Sequence, residues 1–145
     1  MSGIVVGIDG SHNASHALEW AMTEAGMRKA ELTVITVNSV IAGYWSRRPI
    51  PMPGDDEKVA EARELAETAV AKIAVDLGDR QPASVRVVAK NGFPAQALID
   101  ASEDCDLLVV GSRGGGGFGA LAVGSITDQV VHHAKCPVVV VPAGR

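Results

Sequence analysis

The sequence predicts an α/β fold with one parallel β-sheet and helices on both faces. Short apolar runs rich in β-branched residues alternate along the chain with longer amphipathic segments of helical periodicity. No linker interrupts this alternation, and 145 residues correspond to one domain at roughly 100–200 residues per domain. We therefore expect right-handed crossovers and a sheet of five strands in one domain over residues 1–145.

The first half of the chain contains two strands and two helices. Residues 3–9 are a near-continuous apolar run, which is typical of a strand buried on both faces. A helix follows a turn, and its apolar stripe consists of Ala14, Ala17, Leu18, Ala21, Met22 and Ala25. Residues 32–37 predict the second strand. Residues 39–54 contain three prolines and predict an irregular segment, after which apolar positions from Val59 to Leu77 predict a long helix.

The second half continues the alternation. Residues 85–89 predict a third strand, and a short helix begins at Pro94, a residue suited to the first helical position. Residues 107–110 predict a fourth strand that ends in a glycine cluster, and residues 137–142 predict the fifth. The helix between them has one face formed by Ile126, Val130 and Ala134. Strand orders 2-1-3-4-5 and 3-2-1-4-5 both remain open, and in either a ligand would bind at the carboxyl ends of the strands, at the switch point.

Composition excludes several classes of protein. The net charge of −4 argues against a general nucleic-acid surface. No apolar run reaches the ~20 residues of a membrane span, and the first residues do not resemble a signal peptide, so we expect a cytoplasmic protein with no membrane partner. Cys105 and Cys136 lack CxxC spacing. They are interpreted as small buried hydrophobes in a reducing cytoplasm rather than a disulfide or metal pair.

The glycine cluster is the strongest functional signal. Seven of the 16 glycines lie between Gly111 and Gly124. The amides of Gly124, Ser125 and Ile126 would start a helix, where unpaired N–H groups and the helix dipole favour an anion, and Arg113 would add charge. Phosphate binding is one interpretation. The other is a capping box between Ser125 and Asp128, and the two are compatible.

Other functional motifs are incomplete. The stretch from Gly119 to Ser125 approaches a P-loop but lacks its lysine, which argues against fast hydrolysis. Asp9, at the end of the first strand, could bind a ribose or a base edge, or could form an Asx turn into the next helix. We identify no catalytic nucleophile and no metal site in the sequence.

Four segments together resemble the universal stress protein family. The spacing Gly111-x2-Gly114-x9-Gly124-Ser125 is similar to the nucleotide-binding motif of that family. The opening Val-Val-Gly-Ile-Asp-Gly-Ser, the segment beginning Asp106-Leu-Leu-Val-Val and the closing Cys136-Pro-Val-Val-Val-Val also resemble it. The resemblance covers essentially the whole chain. It implies a five-stranded parallel sandwich in the order 3-2-1-4-5, like that of the adenine nucleotide alpha hydrolases.

The resemblance also implies a ligand and a set of binding residues. Members with the complete motif bind ATP, so the implied cofactor is ATP, alone or with Mg²⁺. By position, the residues implied to hold the phosphates are Gly111, Gly114, Gly124 and Ser125. Asp9 would contact the nucleoside, the backbone of Val37 would meet the adenine, and Arg113 and Thr127 would assist.

The implied function is a stress-response nucleotide sensor or regulator. One alternative is slow ATP hydrolysis or self-phosphorylation, with Asp9 holding Mg²⁺ and Ser125 or Thr127 near the γ-phosphate. Another is binding of AMP or cyclic AMP. Family members pair as homodimers through the last strand, here Val138, Val139, Val140 and Val141. An apolar strand of this kind at a sheet edge needs a partner or a cover.

Overall fold

The computed structural model describes residues 3–9, 14–42, 48–112 and 124–142. Strands and helices alternate along these residues as the hydrophobic periodicity predicts. In chain order the elements are β1 (Ile4–Ile8), α1 (Ala14–Arg28), β2 (Glu31–Ser39), β3 (Ile41–Ala42), β4 (Pro49–Ile50), α2 (Asp55–Leu77), a 3-10 turn (Gly78–Arg80), β5 (Ser84–Gly92), α3 (Pro94–Ala101), β6 (Leu107–Gly111), α4 (Ser125–His133) and β7 (Val138–Val141).

The five long strands form one parallel sheet in the order β5-β2-β1-β6-β7. When only these five are numbered, the order is 3-2-1-4-5, so the predicted fold is confirmed. β3 and β4 form a separate antiparallel ribbon in which Ile41 pairs with Ile50. This ribbon lies in the segment that the sequence predicts to be irregular. Strands of two residues are too short to produce a detectable period in the sequence.

The sheet has a hydrophobic core on each face. Successive side chains of a strand point to opposite faces, and in β1 Val6 therefore joins one core while Val5 joins the other. The first core packs against α1 and α2, and the second packs against α3 and α4. The predicted stripe of α1 is confirmed at the side chains that are at most 1% exposed, namely Ala17, Leu18, Ala21, Met22 and Ala25; the side chain of Ala14 lies outside the described part of the chain. No described helix is long and apolar enough to cross a membrane.

A reciprocal pair of hydrogen bonds holds the start of β1 to the turn before β6. The Gly3 N–H donates to Oδ2 of Asp106 over 2.9 Å, and the Asp106 N–H donates to the Gly3 carbonyl over 2.9 Å. We expect Asp106→Ala to lower the free energy of unfolding by about 1 kcal/mol, because the Gly3 amide loses its acceptor. Urea denaturation measures this. Asp106→Asn keeps an acceptor oxygen, so it should cost less, and equal losses in the two variants would contradict the assignment.

Candidate functional site

A cleft opens where the central strand separates from one of its neighbours. β1 pairs with β6 only as far as Val6 opposite Val109, whereas its pairing with β2 continues to Ile8 opposite Thr36. The carboxyl ends of β1 and β6 therefore diverge beyond Val6. In open parallel sheets this switch point is where ligands bind. The cleft encloses about 530 Å³, including its open mouth.

Five of the residues that the sequence nominated line this cleft. Three lie in or directly after strands and two lie in α4; the five are Asp9, Val37, Gly111, Ile126 and Thr127. Gly124 and Ser125 lie at the start of α4 but are not among the cleft-lining residues. Arg113 and Gly114 lie outside the described residues. The structure thus brings together the end of β1, β2, the end of β6 and the first turn of α4.

The position of Val37 suits a backbone contact with a ligand. The predicted second strand ends at Val37, whereas β2 continues to Ser39. Its pairing with β1 ends at Thr36, so residues 37–39 extend past β1 on the side where the cleft opens. On the other side the strand remains paired with β5, where Val37 lies opposite Lys90. The β1-facing edge of this extension is therefore not covered by a strand.

The apolar side of the cleft was not anticipated from the sequence. The cleft-lining residues that were not predicted from the sequence are Gly7, Ile8, Ile35, Pro94, Leu98 and Val110. Ile35 could have been found, because it lies two residues before Val37 and so points to the same face of the sheet. The α3 residues could not, since only the folded chain brings that helix over the cleft. Together these side chains form an apolar surface suited to a flat aromatic base.

The first turn of α4 has no side-chain cap. The capping box predicted between Ser125 and Asp128 is wrong: Gly124 occupies the N-cap position, and no side chain caps the helix. The Asp128 N–H donates to the Gly124 carbonyl over 2.9 Å, which closes the first turn. The amides of residues 125–127 precede that bond and take no part in the helical ladder. They lie at the positive end of the helix dipole, a favourable place for an anion.

The two ends of the glycine cluster are joined by a hydrogen bond. The Gly124 N–H donates to the Ser112 carbonyl over 2.8 Å, and the Ser112 N–H donates to the Val141 carbonyl over 2.9 Å. Ser112 and Gly124 therefore lie next to each other, beside the carboxyl end of β7. This arrangement places both ends of the cluster next to the start of α4.

Thr127 has a structural role that the sequence did not indicate. Its side chain is buried, and its hydroxyl donates to the Gly111 carbonyl over 2.6 Å. This bond fixes the first turn of α4 against the end of β6. The hydroxyl proton is thereby committed to the protein backbone. Thr127 is thus a positioning residue at the edge of the cleft, and its proton is not available to a ligand.

We expect Thr127→Val to lower the free energy of unfolding by about 1 kcal/mol. Valine has nearly the same shape as threonine but cannot donate to the Gly111 carbonyl. Thr127→Ser keeps the hydroxyl, so its free energy of unfolding, measured by urea denaturation, should be closer to that of the wild type than to that of the valine variant. The contrary result, a valine variant as stable as the wild type, would show that the bond contributes nothing.

The described part of the cleft has one charged side chain. Asp9, which is exposed at the end of β1, is the only carboxylate among the described lining residues. Nowhere in the described ranges do three His, Cys, Asp or Glu side chains gather as they would around a protein-held metal ion. Mg²⁺ is commonly held by one or two carboxylates together with substrate phosphates. The residues present therefore fit a metal ion that arrives with a nucleotide.

Comparisons with known proteins agree with this architecture. The model of the universal stress protein family matches residues 1–142. A universal stress protein from Mycolicibacterium smegmatis is 33% identical over 139 residues, which cover 96% of this chain and 47% of that protein. The chain thus spans about half the length of the curated relatives it matches.

Two solved structures extend the comparison to the fold. A universal stress protein in complex with cAMP is 25% identical, with a TM-score of 0.67 over 99% of this chain and 98% of that one. A universal stress protein from Archaeoglobus fulgidus in complex with dAMP is also 25% identical, with a TM-score of 0.62 over 97% of each chain. Since the family model spans nearly the whole sequence and these structures share its fold over nearly its whole length, the chain belongs to the universal stress protein family.

Proposed function

We propose that the chain binds an adenine nucleotide in the cleft between β1 and β6, and that the nucleotide is ATP, alone or with Mg²⁺. The observation that carries this proposal is an apolar cleft with an uncapped helix start at one end and a carboxylate at its rim. The apolar cleft suits a purine, the carboxylate suits the ribose hydroxyls, and the uncapped helix start suits the phosphates. The two related structures with bound cAMP and dAMP support the same ligand class.

Each part of the nucleotide has a proposed partner. The adenine lies against the apolar surface formed by Ile35, Leu98 and Val110, with the backbone of Val37 at its edge. The Asp9 carboxylate accepts hydrogen bonds from the ribose hydroxyls. The amides of residues 125–127 and the backbone of Gly111 hold the phosphates, and Ser125 adds its exposed hydroxyl. Arg113 and Gly114 are proposed to contact the phosphates from the glycine cluster.

The proposed role is that of a nucleotide sensor or regulator in the cytoplasmic stress response. Nucleotide binding beside the start of α4 changes the surface that the protein presents to a partner. We also propose a homodimer through β7, which lies at the edge of the sheet and exposes 37% of Val140. An unpaired apolar edge strand is a site of aggregation, and pairing with a second copy removes it.

Ligand-dependent melting tests the proposed function. ATP, AMP and cyclic AMP are titrated separately, and any nucleotide released from denatured protein is identified by chromatography and mass spectrometry. A ligand present at about 100 times its Kd should stabilise the fold by about 2.7 kcal/mol, which raises the Tm by several degrees. No shift with any of the three would refute nucleotide binding. A shift with AMP or cyclic AMP but not with ATP would refute the assignment of ATP as the ligand. Steady production of ADP would show that the protein is a slow ATPase rather than a sensor.

A pair of tryptophan variants locates the site. Val37→Trp places a large ring in the cleft and should weaken nucleotide binding about tenfold or more, because the ring occupies the position of the base. Leu65→Trp is the matched control, since Leu65 lies on α2, is 62% exposed and does not line the cleft. Nucleotide affinities measured by calorimetry should separate the two variants. Equal affinities would place the nucleotide elsewhere on the molecule.

A further inference from the structure

The two cysteines lie side by side, although 31 positions separate them in the sequence. The Sγ atoms of Cys105 and Cys136 are 3.7 Å apart, which is close to van der Waals contact. Cys105 lies in the turn before β6, and Cys136 lies in the turn before β7, its neighbour in the sheet. Both are free thiols, but each is only half-buried, whereas the sequence interpretation was that they are buried. The fold places the two side by side, which the sequence did not indicate.

Hydrogen bonds on either side keep the two turns together. The Leu108 N–H donates to the Pro137 carbonyl over 3.0 Å, and the Lys135 N–H donates to the Ser102 hydroxyl over 2.8 Å. These bonds bracket the cysteine pair, so the sulfur atoms stay adjacent without a covalent link. Neither cysteine lies within a strand. A closure from 3.7 Å to the disulfide length of about 2.05 Å can therefore be achieved by side-chain rotation and adjustment of the turns.

We propose that Cys105 and Cys136 are a reversible oxidation site, at which a peroxide converts the two thiols into an intramolecular disulfide. A sulfur of one cysteine attacks a peroxide oxygen, the O–O bond breaks, and the products are a sulfenic acid and water. The second sulfur then attacks the first, and hydroxide leaves and takes up the second thiol proton as water. In total, two thiols and one hydrogen peroxide give one disulfide and two waters. The sulfurs lose the two electrons that the peroxide gains.

The environment of Cys105 sets the order of these steps. Burial, together with the hydrogen bond and the charge interaction with Cys136, raises the pKa of the Cys105 thiol to about 12. Because the thiolate is the nucleophile, the raised pKa makes Cys105 the less reactive sulfur, and we assign the first reaction with peroxide to Cys136. Cys105 is then the resolving thiol, already in contact with its target.

The oxidation site and the proposed nucleotide site occupy opposite ends of the sheet. The cysteines precede the amino ends of β6 and β7, whereas the cleft lies at the carboxyl ends. The disulfide closes a loop that includes β6, the glycine cluster and α4 without entering the cleft. It should stabilise the fold by restricting the unfolded chain. In a reducing compartment such disulfides are usually transient and redox-sensing.

Hydrogen peroxide treatment of the reduced full-length chain tests the proposal. We expect both thiols to become inaccessible to a maleimide probe, the intact mass to fall by two hydrogens, and proteolysis to yield one peptide that joins Cys105 to Cys136. The Tm should rise by several degrees and return to its original value with dithiothreitol. Two free thiols after treatment, or a link only between two chains, would overturn the proposal.

Single serine variants test the order of the steps. In Cys105→Ser, Cys136 should gain one oxygen as a sulfenic acid that a dimedone probe captures. In Cys136→Ser, the remaining Cys105 should react at least tenfold more slowly with peroxide. Circular dichroism verifies that each variant is folded, and the wild-type experiment does not depend on either. Equal oxidation rates for the two variants would overturn the assigned roles.

Discussion

Replacing Gly26 with alanine should lower the free energy of unfolding by about 3 kcal/mol. Propensity alone gives the opposite sign, because alanine in a helix is favoured over glycine by up to about 1 kcal/mol. Gly26 lies in α1, where the helix packs against the 3-10 turn. The sign of the change in the free energy of unfolding therefore shows whether helix propensity or tertiary packing has the larger effect at this position.

The loss of stability arises because a side chain at position 26 would collide with the backbone of the 3-10 turn. A Cβ on Gly26 would overlap the carbonyl oxygen of Arg80 and would lie 2.9 Å from its carbonyl carbon. A backbone carbonyl cannot rotate away as a side chain can. It is held close by neighbouring bonds: Nζ of Lys29 donates to the Asp79 carbonyl over 3.0 Å, and the Ala83 N–H donates to the Ala30 carbonyl over 3.0 Å. Either α1 or the turn must move to accept a methyl group.

Urea denaturation of Gly26→Ala measures the effect as a lower midpoint. Met27→Ala is the matched control, because Met27 is the next residue of the same helix and is 68% exposed. That change should alter stability by no more than about 0.5 kcal/mol. A Gly26→Ala variant as stable as the wild type, or more stable, would mean that α1 and the turn are not packed this closely.

Replacing Gly7 with alanine should weaken nucleotide binding about tenfold, or about 1.4 kcal/mol. Gly7 lies in β1 beneath the cleft, and an added Cβ would be 2.6 Å from Cδ1 and 2.8 Å from Cδ2 of Leu98. Leu98 is itself only 5% exposed, and its side chain is part of the cleft wall. The methyl group therefore displaces Leu98 toward the space that we assign to the adenine.

A double variant separates this displacement from a general loss of stability. Leu98→Ala removes the three atoms that lie nearest to the new Cβ, namely Cγ, Cδ1 and Cδ2 of Leu98. The affinity lost in Gly7→Ala should therefore return in part in Gly7→Ala/Leu98→Ala, although Leu98→Ala alone costs about 2–5 kcal/mol of stability. Calorimetric titration of all four proteins measures the coupling between the two positions. Additive effects would show that Gly7 does not act through Leu98.

Most of the fold was predictable because its signals are local. Short apolar runs rich in β-branched residues located the five long strands, and 3.6-residue apolar patterns located the four α-helices, including the start of α3 at Pro94. The choice between two strand orders did not follow from periodicity, and the resemblance to the family made it. The β3–β4 ribbon was missed because its strands contain two residues each.

The candidate site was predictable in part. Asp9, Gly111 and Ile126 were identified from their places at the ends of strands and at the start of a helix, and all three line the cleft. The capping box at Ser125 was wrong because the helix starts at Ser125 itself, one residue earlier than a serine cap at that position requires. The contribution of α3 was missed because apolar residues such as Leu98 have no chemical signature that distinguishes a cleft wall from a core.

By itself the sequence determined the class of fold, the five long strands and the four α-helices, and the placement of the candidate site at the carboxyl ends of the strands. These features follow from hydrophobic periodicity and from the rule that parallel strands align their ends. Only the tertiary structure decided which distant residues touch: Cys105 and Cys136, Gly26 and Arg80, Gly7 and Leu98. Such contacts depend on which strands become neighbours and on how helices and turns pack together, and no local pattern in the chain encodes that geometry.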